Sequence, residues 1–346
     1  MKKQVFRTRV KVIALLLLLV IGCAGQGTTA TPAPLADPAL PPTPTLALPA
    51  ALESPATAAG RSIGDPYAPE LGNTGYDVQR YTLKMTLDPA VATLISAVTI
   101  EAMSTFIWEH NHPMATYLAT VAVGVYERID ETAPGGVPLR HYVFPELRPE
   151  FETAVAITGE ALAWMSDLFG PYPFEAFGYV TADVPGASLE TQTMVLLSAN
   201  MVGQSTVIHE LAHMWFGNWV SLDSWSEMWR NEGFATYVTL MWQHRDDPED
   251  LELEIEAIRA AVAENEPQYP LGNPPPQRLF GFNTYFKGAL LVHALREETG
   301  DEAFFAGLRA YFQRYGGATA SDAQFQAVME EAAGQSLEAF FTEWLN

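Results

Sequence analysis

The feature that most constrains this chain is an H-E-x-x-H motif set in an apolar helical segment at residues 207–216. On a helix, residues four apart share one face, so His209 and His213 can direct two imidazoles at one metal ion. Glu210 lies beside the first histidine and can act as general base toward a water that the metal activates. The remaining residues of the segment are mostly apolar and can pack against a core. The motif therefore predicts a buried helix with a metal site on one face.

A third metal ligand is needed, because a catalytic zinc site usually takes three protein ligands and leaves one position open. The segment Asn-Glu-Gly-Phe-Ala at 231–235 offers one, since Glu232 follows His213 after 18 intervening residues. That length allows the chain to finish one helix, cross a loop and begin a second helix. We predict that His209, His213 and Glu232 bind one Zn2+. The alternative is an ordinary buried helix with hydrogen-bonded histidines, because H-E-x-x-H alone is a weak signal.

Charge limits the partners. The chain carries a formal net charge of −22, from 19 basic and 41 acidic residues, which argues against nucleic acid as a partner. The same charge favours cationic ligands such as peptide amino termini, although it also serves solubility. Of the 346 residues 48% are hydrophobic, which is sufficient for one large or two modest domains.

The amino terminus predicts a targeting signal rather than part of the fold. A basic run precedes ten apolar residues at 12–21, too few to span a bilayer comfortably. Gly22 and Cys23 follow, as in a bacterial lipobox. We therefore predict a signal peptide over residues 1–22 and lipidation of Cys23, which would hold the protein on the extracytoplasmic side of a bacterial cell-envelope membrane. The alternative is an ordinary signal peptide with an incidental cysteine. Cys23 is the only cysteine, so an internal disulfide and a cysteine zinc ligand are excluded.

The rest of the chain predicts an α+β fold. Residues 23–60 are rich in Ala, Pro and Thr and form a tether that cannot bury a core. A β domain is predicted over 61–147, with strands at 76–87, 94–103, 116–127 and 139–144. A mainly helical domain is predicted over 148–346, with two strands at 177–184 and 193–198. Besides the zinc helix, its predicted helices cover 150–169, a segment starting near 232, 251–265, 284–298, 302–315, 321–333 and 336–345.

These motifs, in this order, resemble the M1 family of metallo-aminopeptidases, which are gluzincins. His-Glu-Leu-Ala-His and Asn-Glu-Gly-Phe-Ala match the zinc elements of the family. Tyr-Phe-Lys-Gly-Ala at 285–289 resembles its Tyr-x-Lys-Gly-Ala segment. Pro-Met-Ala-Thr-Tyr-Leu at 113–118 resembles the segment that closes its amino-terminal β domain. The resemblance covers residues 61–346 and implies a thermolysin-like zinc peptidase domain after a β domain.

The resemblance also implies an activity and two further site residues. Peptides with a free amino terminus would lose their first residue through water activated by one Zn2+ per chain. Tyr285 matches the tyrosine that stabilises the oxyanion, the alternative being a core tyrosine. Glu190 aligns with the glutamate of a Gly-x-Met-Glu-Asn motif that binds the substrate's α-amine, although the other motif residues differ here. The alternative for Glu190 is an ordinary loop glutamate.

Two departures from the family leave alternatives open. The amino-terminal β region is much shorter than the family's, so we predict a truncated β-sheet domain. A lipid-anchored degenerate homologue that binds zinc without useful catalysis is therefore an alternative function. Epoxide hydrolysis, as in the leukotriene-hydrolase branch, is another alternative that nothing in the sequence selects. Arg230 stands where the family usually has leucine, and we expect it to point away from zinc. Substrate side-chain preference and oligomeric state are not predicted.

Overall fold

The structure, a computed structural model, describes residues 81–87, 104–110, 112–122, 124–184, 186–265 and 269–346. The predicted signal peptide, Cys23, the tether and the strand predicted over 94–103 lie outside the described residues. The strands are β1 (Tyr81–Leu87), β2 (Ser104–His110), β3 (Glu127–Thr132), β4 (Pro138–Val143), β5 (Tyr179–Ala182), β6 (Val195–Ser198), β7 (Val220–Leu222) and β8 (Ala318–Ala320). The helices are α1 (Arg148–Val155), α2 (Thr158–Phe169), α3 (Gln204–Ala212), α4 (Trp229–Gln243), α5 (Pro248–Glu264), α6 (Phe282–Thr299), α7 (Asp301–Tyr315), α8 (Asp322–Ala333) and α9 (Glu338–Leu345).

The largest sheet of the described residues has four strands in the order β3-β4-β5-β6. Strand β3 pairs antiparallel with β4, while β4–β5 and β5–β6 pair in parallel. Strands β1 and β2 form an antiparallel pair, and β7 pairs in parallel with β8. The α+β prediction is confirmed. The domain boundary predicted after residue 147 falls between β4 and β5, which are strands of one sheet, so the division into domains stays a prediction.

Helix α4 lies at the centre of the core, with every residue from Trp229 to Trp242 buried. It crosses α6 where Gly233 faces Gly288. A Cβ on Gly233 would lie 2.7 Å from the carbonyl carbon of Gly288, so neither position has room for a side chain. Glu232 immediately precedes Gly233, and Tyr285 lies about one turn before Gly288. The close crossing of the two helices therefore sets the relative positions of Glu232 and Tyr285.

Two predicted elements need correction. The strand predicted over 116–127 is wrong, because Thr116–Leu118 forms a single 3-10 turn and β3 begins only at Glu127. Burial of Leu118 within an irregular segment, rather than pairing with another strand, accounts for part of the apolar pattern there. The single helix predicted over 150–169 is two helices, α1 and α2. The residues between them, Ala156 and Ile157, keep right-handed helical backbone angles, so the apolar period continues across the break.

The shortest strands were not predicted, because they have too few residues to show an alternation of apolar and polar side chains. Strands β7 and β8 have three residues each. The helix predicted to begin near 232 begins three residues earlier, at Trp229. Among the described helices, none combines the length and the apolar character that a membrane span requires.

Candidate active site

The three predicted metal ligands converge at one point. His209 lies on α3, His213 directly follows that helix, and Glu232 lies in the first turn of α4. The His209 Nε2 atom is 3.2 Å from Glu232 Oε2 and 3.2 Å from His213 Nε2, and His213 Nε2 is 3.5 Å from Glu232 Oε2. Ligand atoms bound to one tetrahedral zinc at 2.0–2.2 Å lie about 3.3–3.6 Å apart. The observed separations are close to that range.

A tight turn after α3 fixes the second histidine. His213 Nδ1 lies 3.1 Å from the carbonyl oxygen of Phe216, and an N–H at Nδ1 that donates to this oxygen leaves the Nε2 lone pair facing Glu232. Gly217 continues the turn with φ +116°, a left-handed angle that favours glycine. A Cβ there would lie 2.7 Å from the side-chain nitrogen of Asn231. The backbone of the turn is therefore constrained by both the histidine and helix α4.

Glu210 lies buried beside the metal ligands. Burial raises the pKa of Glu210 to about 8, against the lowering effect of His213, and the carboxylates of Glu190 and Glu232 add to the rise. A positive charge bound at the ligands would lower that pKa again, because an opposite charge favours the ionised carboxylate. With a cation in place, Glu210 is suited to accept a proton from a nearby water.

The cluster as a whole attracts positive charge. Burial disfavours a charge on His213, but Glu232 and Glu190 outweigh burial and raise the pKa of His213 to about 10. Burial likewise opposes ionisation of Glu232, but the charge of His213 and the hydrogen bonds to both histidines lower its pKa to about 2. Two imidazole nitrogens and one carboxylate oxygen form a donor set that zinc takes. The residues present therefore fit a zinc ion.

Tyr285 and Glu190 join the same cluster. The ring of Tyr285, on α6, stacks on His209 with centroids 5.9 Å apart. Burial, followed by the charges of Glu232, Glu190 and Glu210, raises the pKa of Tyr285, so its hydroxyl stays protonated and can donate. Glu190, in the loop before β6, is buried, with a ligand atom within 4.8 Å of those of Glu210 and His213. The structure thus brings together all the predicted site residues that it describes.

Tyr117 is a residue of this site that sequence reasoning missed. Its hydroxyl donates to Glu190 Oε1 at 3.0 Å, and its ring lies 5.1 Å from that of Trp225. Burial and then the charge of Glu190 raise the pKa of Tyr117 well above its usual value. Asn218 holds the same loop from another side, since its Nδ2 donates to the backbone oxygen of Glu190 at 2.7 Å. The available signal was the segment at 113–118, which contains Tyr117.

Arg230 points away from the metal ligands, as expected, and is buried in a network of its own. Its Nε donates to Asp322 Oδ1 at 2.6 Å, its Nη2 to Glu227 Oε2 at 2.5 Å, and its Nη1 to the hydroxyl of Tyr311 at 2.7 Å. These partners belong to α8, to the turn before α4 and to α7. Arg230 therefore ties α4 to the helices behind the site.

Comparisons with known proteins identify a family that this chain resembles. A model of the peptidase family M1 domain matches residues 160–344. Aminopeptidase M1-B of Oryza sativa subsp. japonica is 28% identical over 267 residues, which cover 70% of this chain and 30% of that protein. Aminopeptidase N of Streptomyces lividans is 26% identical over 278 residues, which cover 69% of this chain and 32% of that protein. The chain thus spans about a third of the length of these curated relatives.

A solved structure extends the similarity to the fold. The crystal structure of an M1 zinc metallopeptidase mutant from Deinococcus radiodurans, bound to a Tyr-Ser-Ala substrate, aligns with a TM-score of 0.63 at 27% sequence identity. The alignment covers 78% of this chain and 61% of that chain. Both the sequence matches and the structural match are therefore to proteins of peptidase family M1.

Proposed function

This chain belongs to peptidase family M1, and from that premise we propose that it is a zinc-dependent aminopeptidase that removes residues from the amino termini of peptides. The observation that carries the proposal is the convergence of His209, His213 and Glu232 on one point, with Glu210 beside them and Glu190 in the same cluster. The three metal ligands and Glu210 would take part in the reaction, and Glu190 would select the substrate.

The residues divide the chemistry among them. His209, His213 and Glu232 would hold zinc, which when bound supplies Lewis acidity toward a carbonyl group and lowers the pKa of water. Glu210 would accept the proton of the attacking water at a carboxylate oxygen and later deliver it to the amine that leaves. The Tyr285 hydroxyl, kept protonated by its surroundings, would donate to the oxygen that gains negative charge in the transition state.

Glu190 would select the free amino terminus. A buried carboxylate pairs favourably with an α-ammonium group through charge-assisted hydrogen bonds. The Tyr117 hydroxyl occupies Oε1 of Glu190, which leaves Oε2 to receive the substrate. Because Glu190 and Glu210 have carboxylate oxygens within 4.8 Å of each other, an ammonium held there would bring the first peptide bond of the substrate close to Glu210. The Deinococcus relative bound to a Tyr-Ser-Ala substrate supports a short peptide as the ligand class.

The first test compares an aminoacyl fluorogenic amide with its N-acetylated twin, using the full chain in detergent with zinc. Hydrolysis of the free-amine compound alone would support the whole proposal. Hydrolysis of both compounds would keep the hydrolase and reject Glu190 as the group that reads the amine. Hydrolysis of neither, by a folded protein that holds zinc, would favour the degenerate homologue instead.

We also propose that lipidated Cys23 anchors the enzyme to a membrane of the bacterial cell envelope, on its extracytoplasmic side. The proposal rests on the basic and apolar residues that precede Gly22 and Cys23. Several acyl chains on one residue anchor a protein stably, where a single chain does not. In a bacterial host fed with a labelled fatty acid, the chain should incorporate label and sediment with membranes. A Cys23→Ala variant that still incorporates label would contradict the anchor.

A further inference from the structure

A second group of metal-ligating side chains lies outside the active site. Glu252 of α5 faces His293 and Glu297 of α6, and one ligand atom from each lies within 4.8 Å of the others. His293 Nε2 is 3.5 Å from Glu252 Oε2 and 3.7 Å from Glu297 Oε2. His293 follows Tyr285 by eight residues on α6, which is roughly 12 Å along the helix axis. The group is therefore distinct from the residues that surround Glu232.

The buried histidine of this group is held in place on its inner side. The side chain of His293 is 5% exposed, and its Nδ1 lies 3.2 Å from the hydroxyl oxygen of Tyr237. Arg296 Nη1 donates to the same oxygen at 3.3 Å. An imidazole that binds a metal characteristically has its other nitrogen hydrogen-bonded in this way, since that bond fixes the orientation of the ring. The outer nitrogen, Nε2, is consequently presented to the two carboxylates.

The N···O distances in this group lie within the range of an ion pair but are longer than those of direct hydrogen bonds. Separations of 3.5 and 3.7 Å between His293 Nε2 and the carboxylate oxygens exceed those of good N–H···O hydrogen bonds, which are about 2.7–3.2 Å. They lie close to the roughly 3.3–3.6 Å that separates two ligands of one tetrahedral zinc. The active-site ligands lie slightly closer together, 3.2–3.5 Å apart.

We propose that Glu252, His293 and Glu297 bind a second divalent transition-metal ion of the kind that takes imidazole and carboxylate ligands, such as Zn2+. The histidine disfavours Mg2+ and Ca2+, which prefer oxygen ligands alone. Two carboxylates balance the charge of the ion, and both are about 60% exposed, so the ion has a route from solvent. The net charge of −22 raises the local concentration of cations. Binding ties α5 to α6, the helix that carries Tyr285.

The test is a metal count on the full chain, dialysed against Zn2+ at increasing concentration and analysed by elemental methods. The wild-type protein is expected to bind two equivalents. His213→Ala should remove the active-site ion and leave one. Glu252→Gln combined with Glu297→Gln should also leave one, with the affinity for the lost ion falling by more than tenfold. Glu254→Gln, an exposed residue of the same helix, is the matched control and should keep two.

Unfolding provides a second measurement that does not depend on turnover. In the His213→Ala background, added Zn2+ should raise the melting temperature, because a ligand that binds only the folded state stabilises it. Adding Glu252→Gln and Glu297→Gln to that background should remove the rise. A wild-type protein that binds one equivalent only, or a Glu252→Gln/Glu297→Gln protein that still binds two, would overturn the proposal. Either result could be obtained whether or not the peptidase function holds.

Discussion

Two faces of helix α4 bury charge to the same extent and use it differently. Arg230 and Glu232 are two residues apart, and each is 4% exposed. Around Arg230 the protein supplies the partners itself, with Asp322 and Glu227 as acceptors. Around Glu232 it assembles two further carboxylates and two histidines, an arrangement that raises the pKa of His213. The first face is satisfied internally, whereas the second favours an added positive charge.

The two faces differ in how many hydrogen-bond donors each buried carboxylate has within the protein. Glu227 accepts backbone N–H groups from Ser224 and from Asp322, at 3.4 and 2.9 Å, in addition to its ion pair with Arg230. In the active site, Glu190 accepts one hydroxyl, from Tyr117, and its charge still raises the pKa of Glu210. Buried charge alone is thus a weak sign of function. Buried charge that shifts the pKa of its neighbours and leaves a ligand set open is a stronger one.

The largest effect is expected from the group next to the metal ligands. Glu210→Gln should reduce turnover of an aminoacyl amide by about 10²- to 10⁴-fold, because an amide cannot accept the proton of the attacking water. Zinc content should stay at the wild-type value, since Glu210 is not a ligand. Turnover assays and elemental analysis on the same preparation check both statements. A variant with unchanged turnover would show that the charge excess near Glu232 has another purpose.

On the other face, a comparable change should affect stability instead. Arg230→Met would leave Glu227 and Asp322 without their buried partner and should cost about 3 kcal/mol of unfolding free energy. Denaturant unfolding measures the loss. Arg314→Met is the control, because its ion pair with Glu331 is exposed and should contribute less than about 1 kcal/mol. Equal losses of unfolding free energy in the two variants would show that the buried ion pairs of Arg230 contribute no more stability than the exposed pair of Arg314.

Metal removal should lower the stability that depends on Glu232 and leave the stability that depends on Arg230 unchanged. In a Glu252→Gln/Glu297→Gln protein stripped with a chelator, Zn2+ at a hundred times its dissociation constant should restore about 2.7 kcal/mol of stability. Adding Arg230→Met should lower the baseline and leave this increment unchanged. Adding Glu232→Gln should abolish the increment. Unfolding curves with and without Zn2+ give both quantities, and an increment that depended on Arg230 would mean that the faces are coupled.

The sequence predicted the ligands of the site because their spacing is local. Residues four apart on a helix share a face whatever the rest of the chain does, so His209 and His213 could be paired without a structure. Glu232 followed from chain length and from its own motif, whereas Tyr285 and Glu190 were predicted only through the resemblance to family M1. The helices were predicted for the same reason, since their apolar period is carried by adjacent turns.

What the sequence could not predict are contacts between distant segments. Tyr117 meets Glu190 across 73 positions, and Arg230 meets Asp322 across 92. The requirement for glycine at Gly233 and Gly288 is explained only by the close crossing of α4 and α6 at these two positions. The strand predicted over 116–127 failed similarly, because alternation along the chain does not reveal whether a partner strand exists.

The smallest predicted effect tests whether the hydroxyl at Glu190 serves substrate binding. Tyr117→Phe removes the hydrogen bond to Oε1 and loosens the carboxylate that would receive the substrate's ammonium group. The loss of one hydrogen bond of about 1 kcal/mol corresponds to a roughly fivefold rise in KM for a free-amine substrate, with kcat little changed. Steady-state kinetics on an aminoacyl amide measures the two constants.

A partly buried tyrosine outside the site provides the matched control. The hydroxyl of Tyr172 donates to the backbone oxygen of Ala176 at 3.0 Å, so Tyr172→Phe removes one hydrogen bond of similar geometry away from Glu190. It should lower stability slightly and leave KM unchanged. If Tyr117→Phe instead lowered kcat at constant KM, or if both variants raised KM alike, the hydroxyl at Glu190 would not be a binding element. The hydrogen bond between Tyr117 and Glu190 would then not support a substrate-binding role for Glu190.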